Sequence, residues 1–196
     1  MNVANKITIA RLFIPVVFLP ALLGGMPYGH TLAFVLFVAG TATDWLDGYL
    51  ARRYGMTSDF GRLMDPVADK VLVSAALVGF VVAQPAIVKA WMVVAIIARD
   101  LLINGLRLLA MQHHEVVAAD TIGKHKTAWQ MAGILAVLLY SAYQDFAPKL
   151  AQPAADWVGA HVPPILSILF HAIVVLTFVS GGRYLWKYRK LYMRDV

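Results

Sequence analysis

Residues 44 to 69 read DWLDGYLARRYGMTSDFGRLMDPVAD and, besides Asp59, set four aspartates at helical spacing, Asp44, Asp47, Asp65 and Asp69, between two long apolar stretches. On a helix, residues three or four apart share a face, so Asp44 pairs with Asp47 and Asp65 with Asp69. Two helices packed side by side across the connection 53–60 let all four carboxylates converge. Left unneutralised they would repel one another, and each is costly to take out of water. A cation must join them. Oxygen donors without His or Cys favour a hard ion, Mg²⁺ or Mn²⁺, usually completed by substrate phosphates. A pair of such ions clamping a phosphoryl group is the natural inference. Gly48, Ala51 and Gly61 keep the neighbouring faces open to a flat group, and Pro66 begins or kinks the helix that carries Asp65. Two other readings use the same side chains: an ion or proton pathway in a cation-coupled transporter, and plain pairing with Arg52, Arg53 and Arg62. Four aspartates interleaved with small residues weigh toward the metal site. Transport also needs charges spread through the membrane depth, whereas almost all of them here gather toward one face.

The elements that must position these residues follow from composition. The chain of 196 residues is 60% hydrophobic and 14% charged, with a mean hydropathy of +0.69. Soluble domains are nearer about 45–50% apolar and about 25% charged, so this is the composition of an all-α, polytopic integral membrane protein. Cysteine is absent, which excludes disulfides, a thiolate nucleophile and a cysteine zinc site. The net charge of +6 points to anionic lipid headgroups or a phosphorylated substrate as partners, and not to nucleic acid. A crossing takes roughly 20 helical residues. By that measure six transmembrane helices are expected, after a short N-terminal interfacial segment, in one domain over 1–196. They cover 7–23, 30 into the aspartate motif, 61 to the residue before Gln84, 86–111, 124–146 and 164–188. The first apolar run is expected to remain as a span and not to be cleaved. The Pro- and Ala-rich stretch 144–164 reads as an outer loop.

Lys6, Arg11, Arg52, Arg53, Arg62, Arg107, Lys124, Lys126, Lys187, Arg189, Lys190 and Arg194 then fall on one side, and only Lys89 and Lys149 on the other. The positive-inside rule places both termini and the aspartates at the cytoplasmic face. Tyr184, Trp186, Tyr188 and Tyr192, mixed with basic residues, read as an interfacial anchor. The six histidines show no metal spacing and are assigned no role.

The order D-x-x-D-G-x-x-A-R, eight residues, then G-x-x-x-D-x-x-x-D, carried by Asp44, Asp47, Gly48, Ala51, Arg52, Gly61, Asp65 and Asp69, resembles the signature of the CDP-alcohol phosphotransferase family without departure. The resemblance implies a six-helix membrane enzyme, commonly a homodimer, that moves a phosphatidyl-type group from a CDP-linked lipid to an alcohol and releases CMP. It implies that Asp44, Asp47 and Asp65, helped by Asp69, hold two divalent cations, Mg²⁺ or Mn²⁺, on the CDP diphosphate. By the same carry-over Asp69 is the base for the incoming hydroxyl. Gly48, Ala51, Arg52 and Gly61 border the nucleotide.

The acceptor must be read from other residues. IIARDLLINGLRLL sets Arg99 and Arg107 eight apart, close to two turns, and TIGKHKTAWQM supplies Lys124 and Lys126. Arg and Lys at a membrane edge suit a phosphate on the acceptor. Ordinary positive-inside topology, or pairing of Arg99 with Asp100 or a motif carboxylate, also accounts for them. NKITIAR, the ARD…LR segment and GKHKTA resemble bacterial members of the family that use sn-glycerol 3-phosphate. That resemblance implies transfer from CDP-diacylglycerol to sn-glycerol 3-phosphate at the cytoplasmic face of the bacterial inner membrane, with phosphatidylglycerophosphate and CMP as products. It assigns the acceptor phosphate to Arg107, Lys124 and Lys126, with Arg99 beside them, and the nucleotide to Asn5 and Thr8, which lie every third residue with Arg11. A sister enzyme using inositol phosphate, serine or phosphatidylglycerol is the alternative.

Overall fold

Apolar runs punctuated by Pro and Gly give, in a computed structural model, helices and no strand among the described residues. The backbone is described for 3–54, 59–112, 121–150 and 152–189; side chains are described for these residues except 3–8, 44–54, 59–63, 65, 66, 69, 108, 111, 112, 121, 122 and 124. The helices are α1 (Val3–Leu23), α2 (Gly29–Tyr54), α3 (Asp59–Ala83), α4 (Ala90–Gln112), α5 (Thr121–Gln144) and α6 (Gln152–Lys187), with a 3-10 turn at Ala147–Lys149. α1 packs on α2 and α3, α5 packs on α2 and α6, and α4 lies against α6 and α3.

Three boundaries differ from the sequence expectation, each for a local reason. NKITIAR lies inside α1, because nothing breaks the helix before Pro15. α4 begins at Ala90 and not at residue 86. Pro85 follows Gln84, whose carbonyl accepts the amides of Ile87 and Val88 at 3.0 Å and closes a turn. α6 begins at Gln152, so most of the expected outer loop is helical. Pro163 and Pro164 lie within it. Each forfeits one amide bond, to Gly159 and Ala160, and apolar residues on both sides sustain the flanking turns. α1 likewise passes through Pro15 and Pro20. It stops where the Gly24 amide bonds the Pro20 carbonyl at 2.8 Å and Gly25 takes a φ of +62°, a conformation that favours glycine.

The α1–α2, α3–α4 and α5–α6 connections meet at one end of the bundle. Asp145 accepts hydrogen bonds from the Thr31 amide and hydroxyl, both at 2.8 Å, and lies 2.8 Å from His30 Nδ1. Gln84 Nε2 donates to Ser141 Oγ and Gln144 Oε1, and the Tyr28 and Phe146 rings are 5.5 Å apart. The core between the helices holds Phe18, Phe37, Leu72, Phe80, Met92, Ile134 and Phe170. Close approach there depends on small residues: a side chain at Gly40 would meet Leu72 at 2.7 Å, and one at Gly133 would meet Ile173 at 2.6 Å.

The outside is apolar too. Phe13, Val35, Val78, Val94, Leu139 and Phe178 are all exposed. Among the described residues one helix, α6, is long and apolar enough by itself to cross a membrane. Ile9–Leu23, Gly29–Thr43 and Lys70–Ala83 are shorter apolar stretches. The last two adjoin the aspartate motif on either side, so the motif occupies the far end of α2 and the near end of α3.

Candidate active site

The backbone of the motif is described except at 55–58. Asp44, Asp47, Gly48, Ala51 and Arg52 lie in the final turns of α2, and Gly61, Asp65 and Asp69 in the first turns of α3. Asn5 and Thr8 lie in α1 and Lys124 in the first turn of α5. The side chains of these positions lie outside the described residues. Among the side chains that are described, no three His, Asp or Glu gather at a metal-binding spacing.

Beside α3 the structure opens a cavity of about 500 Å³ between α3, α4, α5 and α6. Lys70 and Val73 line it from α3; Arg99, Asp100, Ile103, Asn104 and Arg107 from α4; Gly123, Thr127 and Gln130 from α5; and Tyr184 from α6. At 3.6 residues per turn the five α4 residues fall within an arc of about 140°, so one helix face supplies a single wall. The structure therefore brings Arg99 and Arg107 together. α3 ties this cavity to the aspartate motif, since Lys70 directly follows Asp69.

The charged groups are strung together across helices. Arg99 Nη1 donates to Asp100 Oδ1 at 3.1 Å, and its Nη2 donates to Ser180 Oγ of α6 at 2.7 Å. Lys126 Nζ, from α5, donates to the same Asp100 oxygen at 2.6 Å. Arg107 Nε donates to the Tyr184 hydroxyl at 3.3 Å. Gly181 leaves room for this arrangement: a Cβ there would come within 3.1 Å of Arg99 Cγ. Lys126 is enclosed, its side chain 1% exposed, and it is not among the residues that line the cavity. Arg107 is exposed. The wall thus presents two guanidiniums and the Lys70 ammonium with one carboxylate among them, an arrangement that takes an anion which also carries hydrogen-bond donors.

Lys70, Asn104 and Ser180 were not singled out by sequence, Asp100 entered only as a partner for Arg99, and Tyr184 only as part of an interfacial anchor. Asp100 and Asn104 are one turn apart, as are Ser180 and Tyr184, and that i, i+4 recurrence of polar groups was the available signal. Tyr184 corrects an expectation. It is 3% exposed and buried against Ile103 and Leu106, so it is a wall of the cavity and not an interfacial anchor. Trp186, 70% exposed with Arg189 stacked 4.8 Å over its ring, does face outward. Tyr192 lies outside the described residues.

The family model for CDP-alcohol phosphatidyltransferase matches residues 1–179. The chain belongs to the CDP-alcohol phosphatidyltransferase family. It is 35% identical to the CDP-diacylglycerol–glycerol-3-phosphate 3-phosphatidyltransferase of Bacillus subtilis, over 95% of this chain and 94% of that one. Its counterpart in Yersinia enterocolitica, with the same name, is 32% identical over 95% and 96%. A Mycobacterium tuberculosis protein named a probable phosphatidylglycerophosphate synthase is 38% identical over 93% of this chain and 79% of its own.

Proposed function

We propose that this protein transfers a phosphatidyl group from CDP-diacylglycerol to sn-glycerol 3-phosphate, giving phosphatidylglycerophosphate and CMP. The observation that carries this reading is the basic cavity joined to the aspartate motif through α3: Arg99, Arg107 and Lys70 line it, and Asp69 stands one turn before Val73 on the same helix. Arginine suits a phosphate because its planar fork can meet two oxygens at once. Arg107 takes the acceptor phosphate, with Arg99 and Lys124 beside it. Asn5, Thr8, Gly48, Ala51, Arg52 and Gly61 border the cytidine nucleotide.

Asp44, Asp47, Asp65 and Asp69 would hold two divalent cations, Mg²⁺ or Mn²⁺, and an all-carboxylate donor set of this kind fits hard ions. When bound, such ions neutralise the diphosphate and the charge left on CMP. The chain's own part in the chemistry is positional and acid–base. The primary hydroxyl of the acceptor is directed at the β-phosphorus by the grip on its phosphate. As the new O–P bond forms, the bond from that phosphorus to the CMP oxygen breaks, and Asp69 takes the hydroxyl proton. General-base help of this kind is worth about 10²–10⁴-fold.

Residues 1–196 form one domain in this reading, and all six long helices cross the bilayer of a bacterial inner membrane. Their apolar exteriors support it, as does the gathering of basic residues at the motif end, which favours a cytoplasmic active site. The working unit is a homodimer. Purified protein supplied with CDP-diacylglycerol and Mg²⁺ or Mn²⁺ tests the reaction. CMP release is expected with sn-glycerol 3-phosphate, and release only with inositol phosphate, serine or phosphatidylglycerol would overturn the acceptor.

A further inference from the structure

A carboxylate in the wall of a phosphate-binding cavity opposes the ligand, so Asp100 needs a reason. Its Oδ1 is held by Lys126 Nζ at 2.6 Å and Arg99 Nη1 at 3.1 Å, while the side chain remains 26% exposed and lines the cavity. Among the described residues Oδ2 has no hydrogen-bond donor. Asn104, one turn along α4, lines the same wall. Lys126 does not line the cavity and is almost wholly enclosed.

We infer that Asp100, with Asn104 beside it, reads the secondary hydroxyl of the acceptor, and that Lys126 is the buried counter-ion that fixes Asp100 and not a ligand of the acceptor phosphate. An ionised carboxylate only accepts hydrogen bonds. It is satisfied by a hydroxyl at C2 of a three-carbon phosphate. A hydrogen at C2 leaves it desolvated without a donor, and a ketone at C2 sets a second acceptor against it. Sites built to bond a substrate hydroxyl reject analogues that lack it strongly, because the buried polar group is left unpaired. The inference rests on the proposed acceptor, sn-glycerol 3-phosphate.

The test compares kcat/KM for three acceptors: sn-glycerol 3-phosphate, 3-hydroxypropyl phosphate, which lacks the C2 hydroxyl, and dihydroxyacetone phosphate, which has a C2 ketone. The natural chain should prefer sn-glycerol 3-phosphate by about 100-fold or more. Asp100→Asn places a donor at this position, so preference over the ketone should shrink by about tenfold or more. The double variant Asp100→Asn/Lys126→Gln carries no unmatched buried ammonium and should show the same reduced preference. It should also recover part of the activity lost in Lys126→Gln alone, because the carboxylate facing the phosphate is then gone as well. The inference is overturned if the natural chain uses the ketone or the deoxy acceptor almost as well. Variants that lower all three acceptors by one factor would also overturn it. Losses that simply add between positions 100 and 126 would return Lys126 to the phosphate. Failure of the natural chain on sn-glycerol 3-phosphate, with turnover of another alcohol, removes the proposed acceptor itself. Normal turnover with unchanged ratios removes only the role of Asp100.

Discussion

Arg99 and Arg107 share one face of α4 but are held differently. Both terminal nitrogens of Arg99 are engaged, by Asp100 and Ser180, whereas the described contact of Arg107 is through Nε to Tyr184. Arg107 therefore keeps its outer donors for an incoming anion. Charge-assisted hydrogen bonds are worth about 1.5–3 kcal/mol. Arg107→Ala should accordingly raise KM for the acceptor by about tenfold or more, with KM for CDP-diacylglycerol within about twofold. Steady-state kinetics with each substrate varied in turn checks this, and equal rises in both would remove Arg107 from the acceptor side. At Asp69 the expected effect falls on the chemical step. Asp69→Asn should lower kcat by about 10²-fold or more while the protein still binds donor, because an amide cannot take the hydroxyl proton. Turnover and donor binding measured on the same preparation separate the two, and unimpaired turnover would refute the base role. The spacing of both arginines was legible in the sequence. Their partners were not, since Ser180 and Tyr184 lie 81 and 77 residues away and meet α4 only when α6 packs on it.

At the scale of elements, the far end of the bundle is fastened by one carboxylate. Asp145, just past α5, caps the start of α2 from outside by accepting the Thr31 amide and hydroxyl, and it pairs with His30. Its side chain is 8% exposed, so removal strands donors that little water can reach. Asp145→Ala should cost about 2 kcal/mol, seen as a lower melting temperature in detergent. Asp44 lies fifteen residues along α2 from Gly29, roughly 20 Å at 1.5 Å per residue, so kcat of the folded protein should stay within about twofold. A large loss of kcat without a loss of stability would contradict this division. Hydropathy located the helices because each carries a sustained apolar run. It misplaced the start of α4, where Gln84 turns the chain onto Ser141 and Gln144, and the start of α6, where a proline pair lies inside a continuous helix.

At the scale of the whole molecule, an apolar exterior surrounds a largely apolar core, with Arg99, Asp100 and Lys126 carrying charge between the helices. The absence of cysteine makes the topology directly measurable. A single cysteine at Lys149 should react with an impermeant maleimide in intact cells. One at Lys187 should react only after permeabilisation. Labelling of both from the same side would refute the six-span arrangement.

By itself the sequence determined the reaction class. The motif from Asp44 to Asp69 carries the family signature within one short stretch, and its all-oxygen donors are what the proposed Mg²⁺ or Mn²⁺ site rests on. It also determined the all-helical class, because apolar runs of this length do not depend on their neighbours for recognition. The make-up of the cavity wall was decided only by tertiary structure. Asp100, Lys126, Ser180 and Tyr184 come from three different helices, and their contacts follow from which helix faces which. Folding buries Lys126 against Asp100, turns Tyr184 inward and leaves Arg107 open to the cavity. These differences arise from packing between α4, α5 and α6.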